Sequence, residues 1–319
     1  PRRAARAPLL LFLHADSRLT AETQLAEAVA AFHQACASST TPVAGHFQLR
    51  FHDADGHPFT YYEGLSALGR PQTINGDQGM LLEGRWLDAL GGFHEVLPFL
   101  EDQDLSTRIC AAGAWTLLPG RIETSARRFL VEGTAERSIH NAVIMAFFSF
   151  RHAPFFALDR SRYCRHSESQ RLTIHPLARA IWTLIRQQPS ILLPLARYAN
   201  RQASWRAAFW LDVRRHGAAA VQHHPRLSTY TRWVSPWMSS RIGDLICVVP
   251  TVLVYLAVWT WYARREARPR VLAPTESTPA PSTPAPSLRR ASADRSTFPS
   301  PSWTAGDSRP GSTERHWHH

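Results

Sequence analysis

The first apolar run of the chain, residues 9–13, is uninterrupted and breaks abruptly into His14-Ala15-Asp16-Ser17. It is too short for a membrane span and lacks helical spacing. It therefore predicts a strand buried on both faces in a parallel sheet, with polar residues emerging at its carboxyl end. Leu25, Ala28, Val29 and Phe32 then recur at helical spacing within residues 20–38, which predicts an amphipathic helix packed on that sheet. Alternation around Phe47, Leu49 and Phe51 predicts a half-buried strand over 43–52, and 61–68 reads as a short helix. Further on come an apolar strand at 80–82, a helix closed by Gly91-Gly92, a helix over 100–112 ended by Gly113, and a strand at 115–118.

The second half changes character. Residues 142–150 are almost wholly apolar but stop at Arg151-His152, which is too short to cross a bilayer and fits a core or an interfacial helix. Over 177–210, Leu177, Ile181, Leu184 and Ile185 share one face while Arg179 and Arg186 point elsewhere, with Trp182, Trp205 and Trp210 nearby. Arg-rich amphipathic segments interleaved with Trp suit a membrane surface, and packed core helices fit equally. Residues 245–263 hold nineteen uncharged residues with aromatic side chains gathered towards one end, the pattern of a transmembrane or re-entrant helix. Residues 264–319 open with several Arg and continue rich in Pro, Ser and Thr, which predicts a disordered tail.

Composition adds one fact that alters this picture. Of 319 residues, 36 are basic and all of these are Arg, giving a formal charge of +11. Such a charge draws a protein to anionic lipid or nucleic acid without specifying a nucleic-acid site. Cys36, Cys110, Cys164 and Cys247 lack metal-ligand spacing, which points to a reducing compartment.

Candidate chemistry gathers in the first half. Ligands in open α/β sheets bind at the carboxyl ends of strands, and a carboxylate there, Asp16, suits a divalent cation carrying phosphates. Capping of the next helix is the competing role for Asp16. Asp53-Ala54-Asp55-Gly56 reads as a hydrophilic turn rather than a second metal site. The two glycines of Gly76-Asp77-Gln78-Gly79 permit close backbone approach to a ligand and equally suit an ordinary tight turn. Glu101, Asp102 and Asp104 open a helix, where the macrodipole alone favours carboxylates.

In order, His14-Ala15-Asp16, Gly76-Asp77-Gln78-Gly79, Leu90-Gly91-Gly92-Phe93 and Glu101-Asp102 resemble family 2 glycosyltransferases of the GT-A fold. The likeness is to the bacterial selenodomain-associated transferase subgroup. It covers residues 9–165, leaving 166–243 as an amphipathic helical region and 244–263 as the membrane segment. The resemblance implies an α/β fold, a partial GT-A domain with a Rossmann-like mixed sheet flanked by helices. It implies sugar transfer, inverting and metal-dependent, from a nucleotide-sugar donor to an acceptor that is not specified, a lipid-linked or cell-envelope one suiting a membrane-associated chain. Asp16 would hold Mn²⁺ or Mg²⁺ and Asp102 would be the base. His14, Asp77, Gln78 and Glu101 would face donor or acceptor. A leaving diphosphate needs its charge neutralised, which Arg127 or Arg128 could do, and simple surface charge is an equal reading of that Arg-Arg-Phe. Members of that family place about half of their nucleotide-binding sheet before the first strand seen here, so the base-contacting residues are expected ahead of Pro1. Two other classes stay open: a non-catalytic, membrane-associated transferase-like module, and a metal-dependent phosphoryl-group enzyme using Asp16 and Asp102.

Overall fold

The computed structural model describes residues 5–94, 97, 99–157 and 171–266. The tail over 267–319, the linker over 158–170 and Cys164 therefore lie outside the described residues. The fold is α/β, with a curled mixed sheet of five strands in the order β1-β4-β3-β5-β2. These strands are β1 (Leu9–Phe12), β2 (Arg18–Leu19), β3 (Val43–Phe51), β4 (Met80–Glu83) and β5 (Ala114–Thr124). β3 and β5 run parallel, whereas β1 and β3 each pair antiparallel with β4, and β2 pairs antiparallel with β5.

β1 corrects the expectation of a strand inside a parallel sheet. It is an edge strand in an antiparallel pair, Leu10 alone is buried, and Leu13 is exposed. The apolar run is nevertheless explained by two-sided packing. Leu10 and Phe12 join a cluster with Ala44, Ile74, Met80, Leu82, Leu87, Leu105 and Ile109 on one face. Leu9 and Leu11 pack against Ala28, Phe32, Val43, Phe47, Leu49, Leu81, Leu118 and Ile122 on the other. Each fully buried Phe or Leu of these clusters contributes roughly 2–3 kcal/mol through removal of apolar surface from water.

The same two layers fix the flanking helices. α1 (Gln24–Ser38) buries Gln24, Ala28 and Phe32, so its inward face is displaced from the expected one and Leu25 is exposed. Gln24 earns its burial by hydrogen bonding: its Oε1 accepts from the Thr20 N–H at 2.8 Å and its Nε2 donates to the Arg121 carbonyl at 2.9 Å. β3 is buried on both faces through most of its length rather than alternating, because it lies in the middle of the sheet. α2 (His57–Ser66) begins four residues before the expected 61–68, with Pro58 in its first turn where a missing N–H costs nothing. α3 (Gly84–Ala89) ends as expected at Gly91 and Gly92, which carry φ of +86° and +69°. α4 (Glu101–Ala112) closes at Gly113. The expected strand at 115–118 is the centre of the eleven-residue β5.

The remaining elements are helical. α5 (Arg127–Glu132) leads into α6 (Thr134–Ser149), α7 (His175–Gln187) and α8 (Leu192–His216), the last two separated by a 3-10 turn over Pro189–Ile191. α9 (Pro225–Thr229) and α10 (Ser235–Met238) are short, and α11 runs over Arg241–Glu266. Val143, Ile144 and Phe147 of α6 form a core with Leu177, Ile181 and Leu184 of α7 and Leu195 of α8. Trp205, Phe209 and Val213 of α8 pack on Leu65, Tyr61 and Tyr62 of α2, which ties the C-terminal helices to the sheet layer. Within α11, the stretch Arg241–Trp261 is long and apolar enough to cross a membrane by length and composition.

Gly113 offers a direct test of this packing. A Cβ there would overlap the Pro42 carbonyl oxygen and lie 2.8 Å from the Trp86 ring. Gly113→Ala should lower the urea-unfolding free energy by about 1–3 kcal/mol, the usual cost of overpacking. An unchanged midpoint and slope would show that the junction of α4 and β5 does not pack on Pro42 and Trp86 as described.

Candidate functional site

Three segments distant in sequence meet at one place. The loop that leaves β1 carries His14 to Ser17 across the curled end of the sheet towards β2 on the opposite edge. Beneath it lies a 3-10 turn, Gly76–Gln78, that leads into β4, and the Ser17 hydroxyl donates to the Asp77 carbonyl at 3.4 Å. The start of α4 supplies Asp102. Its Oδ2 accepts the Gly76 N–H at 2.7 Å and its Oδ1 accepts the Gln103 N–H at 2.8 Å. Both contacts orient the carboxylate, and each oxygen keeps a second lone pair for another donor. Glycine at 76 is what permits this approach: a Cβ there would lie 2.9 Å from His14 Nε2 and 3.2 Å from Asp102 Oδ2.

Asp77 sits between these groups. Its Oδ1 is shut off from solvent and has no protein hydrogen-bond partner. Desolvation pushes its carboxyl up to about 6, with His14 pulling it down and the like charges of Asp102 and Asp16 pushing it further up. The carboxylates at 16, 77 and 102 and the imidazole at 14 thus form one electrostatic unit. Asp16 itself is exposed on the loop.

The turn beneath is pinned by two glutamines. Gln78, which was expected at the ligand, is fully buried: its Oε1 lies 3.1 Å from His46 Nδ1 and its Nε2 donates to the Thr73 carbonyl. It is a structural brace. Gln103, not singled out by the sequence, donates through Nε2 to the Ile74 carbonyl at 2.6 Å and to the Asn75 side chain. Leu100, the residue before α4, adopts a left-handed φ of +64°, a conformation strained for a leucine, and its side chain packs on the α6–α8 core. That strain is local to the turn that aims Glu101 and Asp102. Glu101 itself faces solvent. Asp104, one turn on, is buried against Arg108, His94 and Arg151, at 2.9, 2.9 and 3.5 Å, and so anchors the 90–94 loop.

Arg127 and Arg128 begin α5, after the last residue of β5. Their turn is fixed by Asp53, which accepts the Ala126 N–H at 2.7 Å and the Ser125 hydroxyl, in keeping with a turn role for 53–56. The charges acting on Asp77 are those of His14, Asp102 and Asp16, and neither arginine is among them. Elsewhere a cavity of about 540 Å³ is lined by Arg215, His216, His223, Arg226, Thr229 and Tyr230, none of which belongs to this cluster.

Does this donor set suit a divalent cation? Among the described residues no group of three His, Cys, Asp or Glu side chains forms a protein-only cage. A cation that takes most of its ligands from water and a diphosphate needs only one or two carboxylates, and the exposed Asp16, on the loop that Ser17 ties to the Asp77 carbonyl, could supply one. The orphaned Asp77 oxygen supports the fit. No protein-family model matches the sequence, and no curated protein matches it.

Two separately buried groups, His46 and Asp77, impose opposing pH dependences. Burial lowers His46 from 6.5 to about 4, so below 6.5 the unfolded chain binds a proton that the folded chain does not, and stability falls with pH towards 4. Asp77, raised from 3.8 to about 6, binds its proton in the folded chain first, so its contribution falls as pH rises across that interval. Asp77→Asn should steepen the acid loss between pH 6.5 and 4 by an amount on the order of 1–3 kcal/mol, and His46→Gln should flatten it. Thermal melts that superimpose across this range for all three chains would contradict the burial assigned to both groups.

Proposed function

We propose that this chain belongs to an inverting, metal-dependent GT-A glycosyltransferase that moves a sugar from a nucleotide donor to an acceptor hydroxyl. The observation that carries the reading is the meeting of the Asp16–Ser17 loop, the turn bearing Asp77 and the helix start bearing Asp102, three segments joined only by the fold. The motif order resembling family 2 transferases supports it. In this reading Asp16, with Asp77 beside it, holds Mn²⁺ or Mg²⁺, which when bound neutralises charge on the donor diphosphate. Asp102, oriented by the Gly76 and Gln103 N–H groups, takes the proton from the acceptor hydroxyl. His14 lies against the Gly76 turn, where its ring presents a nitrogen to the donor. Gln78 has no part in binding, since both ends of its amide are engaged inside the protein. The apolar α11 associates the chain with a membrane, with the catalytic domain on the cytoplasmic side where nucleotide sugars are made.

A second reading draws on one observation. Both Asp102 oxygens already serve backbone N–H groups, so the residue has a complete structural role, as in a non-catalytic transferase-like module.

Asp102→Asn separates the two, because an amide oxygen still accepts the Gly76 N–H while the charge is lost. In the full chain, with a panel of nucleotide sugars, the catalytic reading expects unchanged donor affinity and turnover lower by roughly a hundredfold or more. Normal turnover in the variant would assign Asp102 to structure alone, and no turnover by the unsubstituted chain with any donor would favour the non-catalytic module. Asp16→Asn should abolish the gain in nucleotide affinity produced by Mn²⁺ or Mg²⁺ in calorimetric titrations. A metal-dependent gain that persists in this variant would remove Asp16 from the cation site.

A further inference from the structure

α11 is apolar on both sides, and the two sides have different fates. One face is packed against the globular body. Asp244, near its start, is buried and lies 2.7 Å from Arg197 and 3.1 Å from Arg201 of α8. Trp259, near its end, packs on the core formed by α6, α7 and α8. The opposite face is exposed although aliphatic over residues 242–254: Leu245 is 72% exposed, Val249 63% and Leu253 59%, in a row spaced by four, with Ile242, Ile246 and Val254 beside it. A helix on the surface of a water-soluble body carries polar residues there. This one needs a non-aqueous partner.

The attachment at both ends decides the geometry. Asp244 and Trp259 are separated by fifteen residues, about 22 Å of helix. Both are fixed to the same body, so a helix crossing the bilayer in this arrangement would carry the arginines of α8 into hydrocarbon at high cost. A helix lying in the interface plane incurs no such cost. Charge completes the fit. Arg241 and Arg264 are exposed at either end of α11, Arg232 is exposed just before it, and exposed Trp233 and Trp237 suit the headgroup layer.

We infer that α11 is a monotopic anchor: it lies along the surface of a bilayer bearing anionic headgroups, its Leu245–Val249–Leu253 row in the acyl boundary, and the Asp244–Arg197–Arg201 clamp holds the body against that surface. This rests on the membrane association proposed above and adds that the helix does not cross. The body and the segment after α11 then stay on one side, and the catalytic cluster works beside the lipid surface.

The test uses the full chain synthesised with preformed phosphatidylcholine vesicles, with and without about 30% phosphatidylglycerol. The chain should float with the anionic vesicles. External trypsin should cut the tail at Arg289 and Arg290 as readily as the body. A Val249→Glu, Leu253→Glu chain should lose vesicle binding at least tenfold with an unchanged thermal melt, because neither side chain faces the body. A tail fragment protected until detergent is added would overturn the interfacial pose while leaving membrane association standing. Failure of the folded chain to float would overturn both. A soluble dimer that the same double substitution dissociates would assign the face to a second copy.

Discussion

The hydrogen bond from the Gly76 N–H to Asp102 Oδ2 joins the two halves of the candidate site. Without it the turn before β4 and the start of α4 are separate features. With it, an acidic helix start is locked onto a glycine turn, and the loop leaving β1 closes over both. A backbone donor to a carboxylate is a charge-assisted bond, stronger than its neutral counterpart. It is protected on either side by the Gln78 and Gln103 amides, which satisfy the Thr73 and Ile74 carbonyls inside the protein. A turn held at so many points has little freedom to rearrange, and pre-organisation of that kind is what electrostatic catalysis requires.

The bracing extends outward. Arg206 of α8 donates to the Gln72 carbonyl at 3.1 Å, and Arg70 and Arg206 each stand 4.8 Å from the Trp205 ring. The C-terminal helices therefore support the segment that leads into the Gly76 turn, and the same α8 holds α11 through Asp244. The candidate site and α11 are thus both held by α8. In the proposed reading, that shared support would couple attachment at a lipid surface to chemistry at the Asp77–Asp102 cluster.

Much of the fold was legible in the sequence because it follows periodicity. The strands at 9–13 and 43–52, the helix over 100–112 and the glycine ends at 91–92 and 113 all emerged near their predicted places. Strand direction did not, since a continuous apolar run reports burial on two faces and not the polarity of its neighbour, and β1 found both faces covered while pairing antiparallel at an edge. Leu25 misled because helical spacing counts only apolar positions, whereas the hydrogen bonds of the polar Gln24 let it lie inward instead. At the site, the polar end of the first strand brought Asp16 into view, and the resemblance in motif order brought Asp77 and Asp102. Neither pointed to Gln103, whose polar side chain follows two acids and looks solvated, or to His46, a polar position in a strand read as half-buried that is in fact fully enclosed. Gln78 was expected at the ligand because the resemblance places the Gly76–Gly79 loop beside donor and acceptor, and spacing cannot show that its amide is consumed inside the protein.

The central claim is that a nucleotide sugar binds where the three segments meet. An amide chemical-shift titration of the full chain with nucleoside-diphosphate sugars and Mg²⁺ tests it most directly. The account predicts that Gly76, Asp77 and Gln103 amides and the His14 ring shift together and saturate at one affinity. Shifts confined to the basic cavity around His216, His223 and Arg226, with the Gly76 turn unmoved, would contradict it.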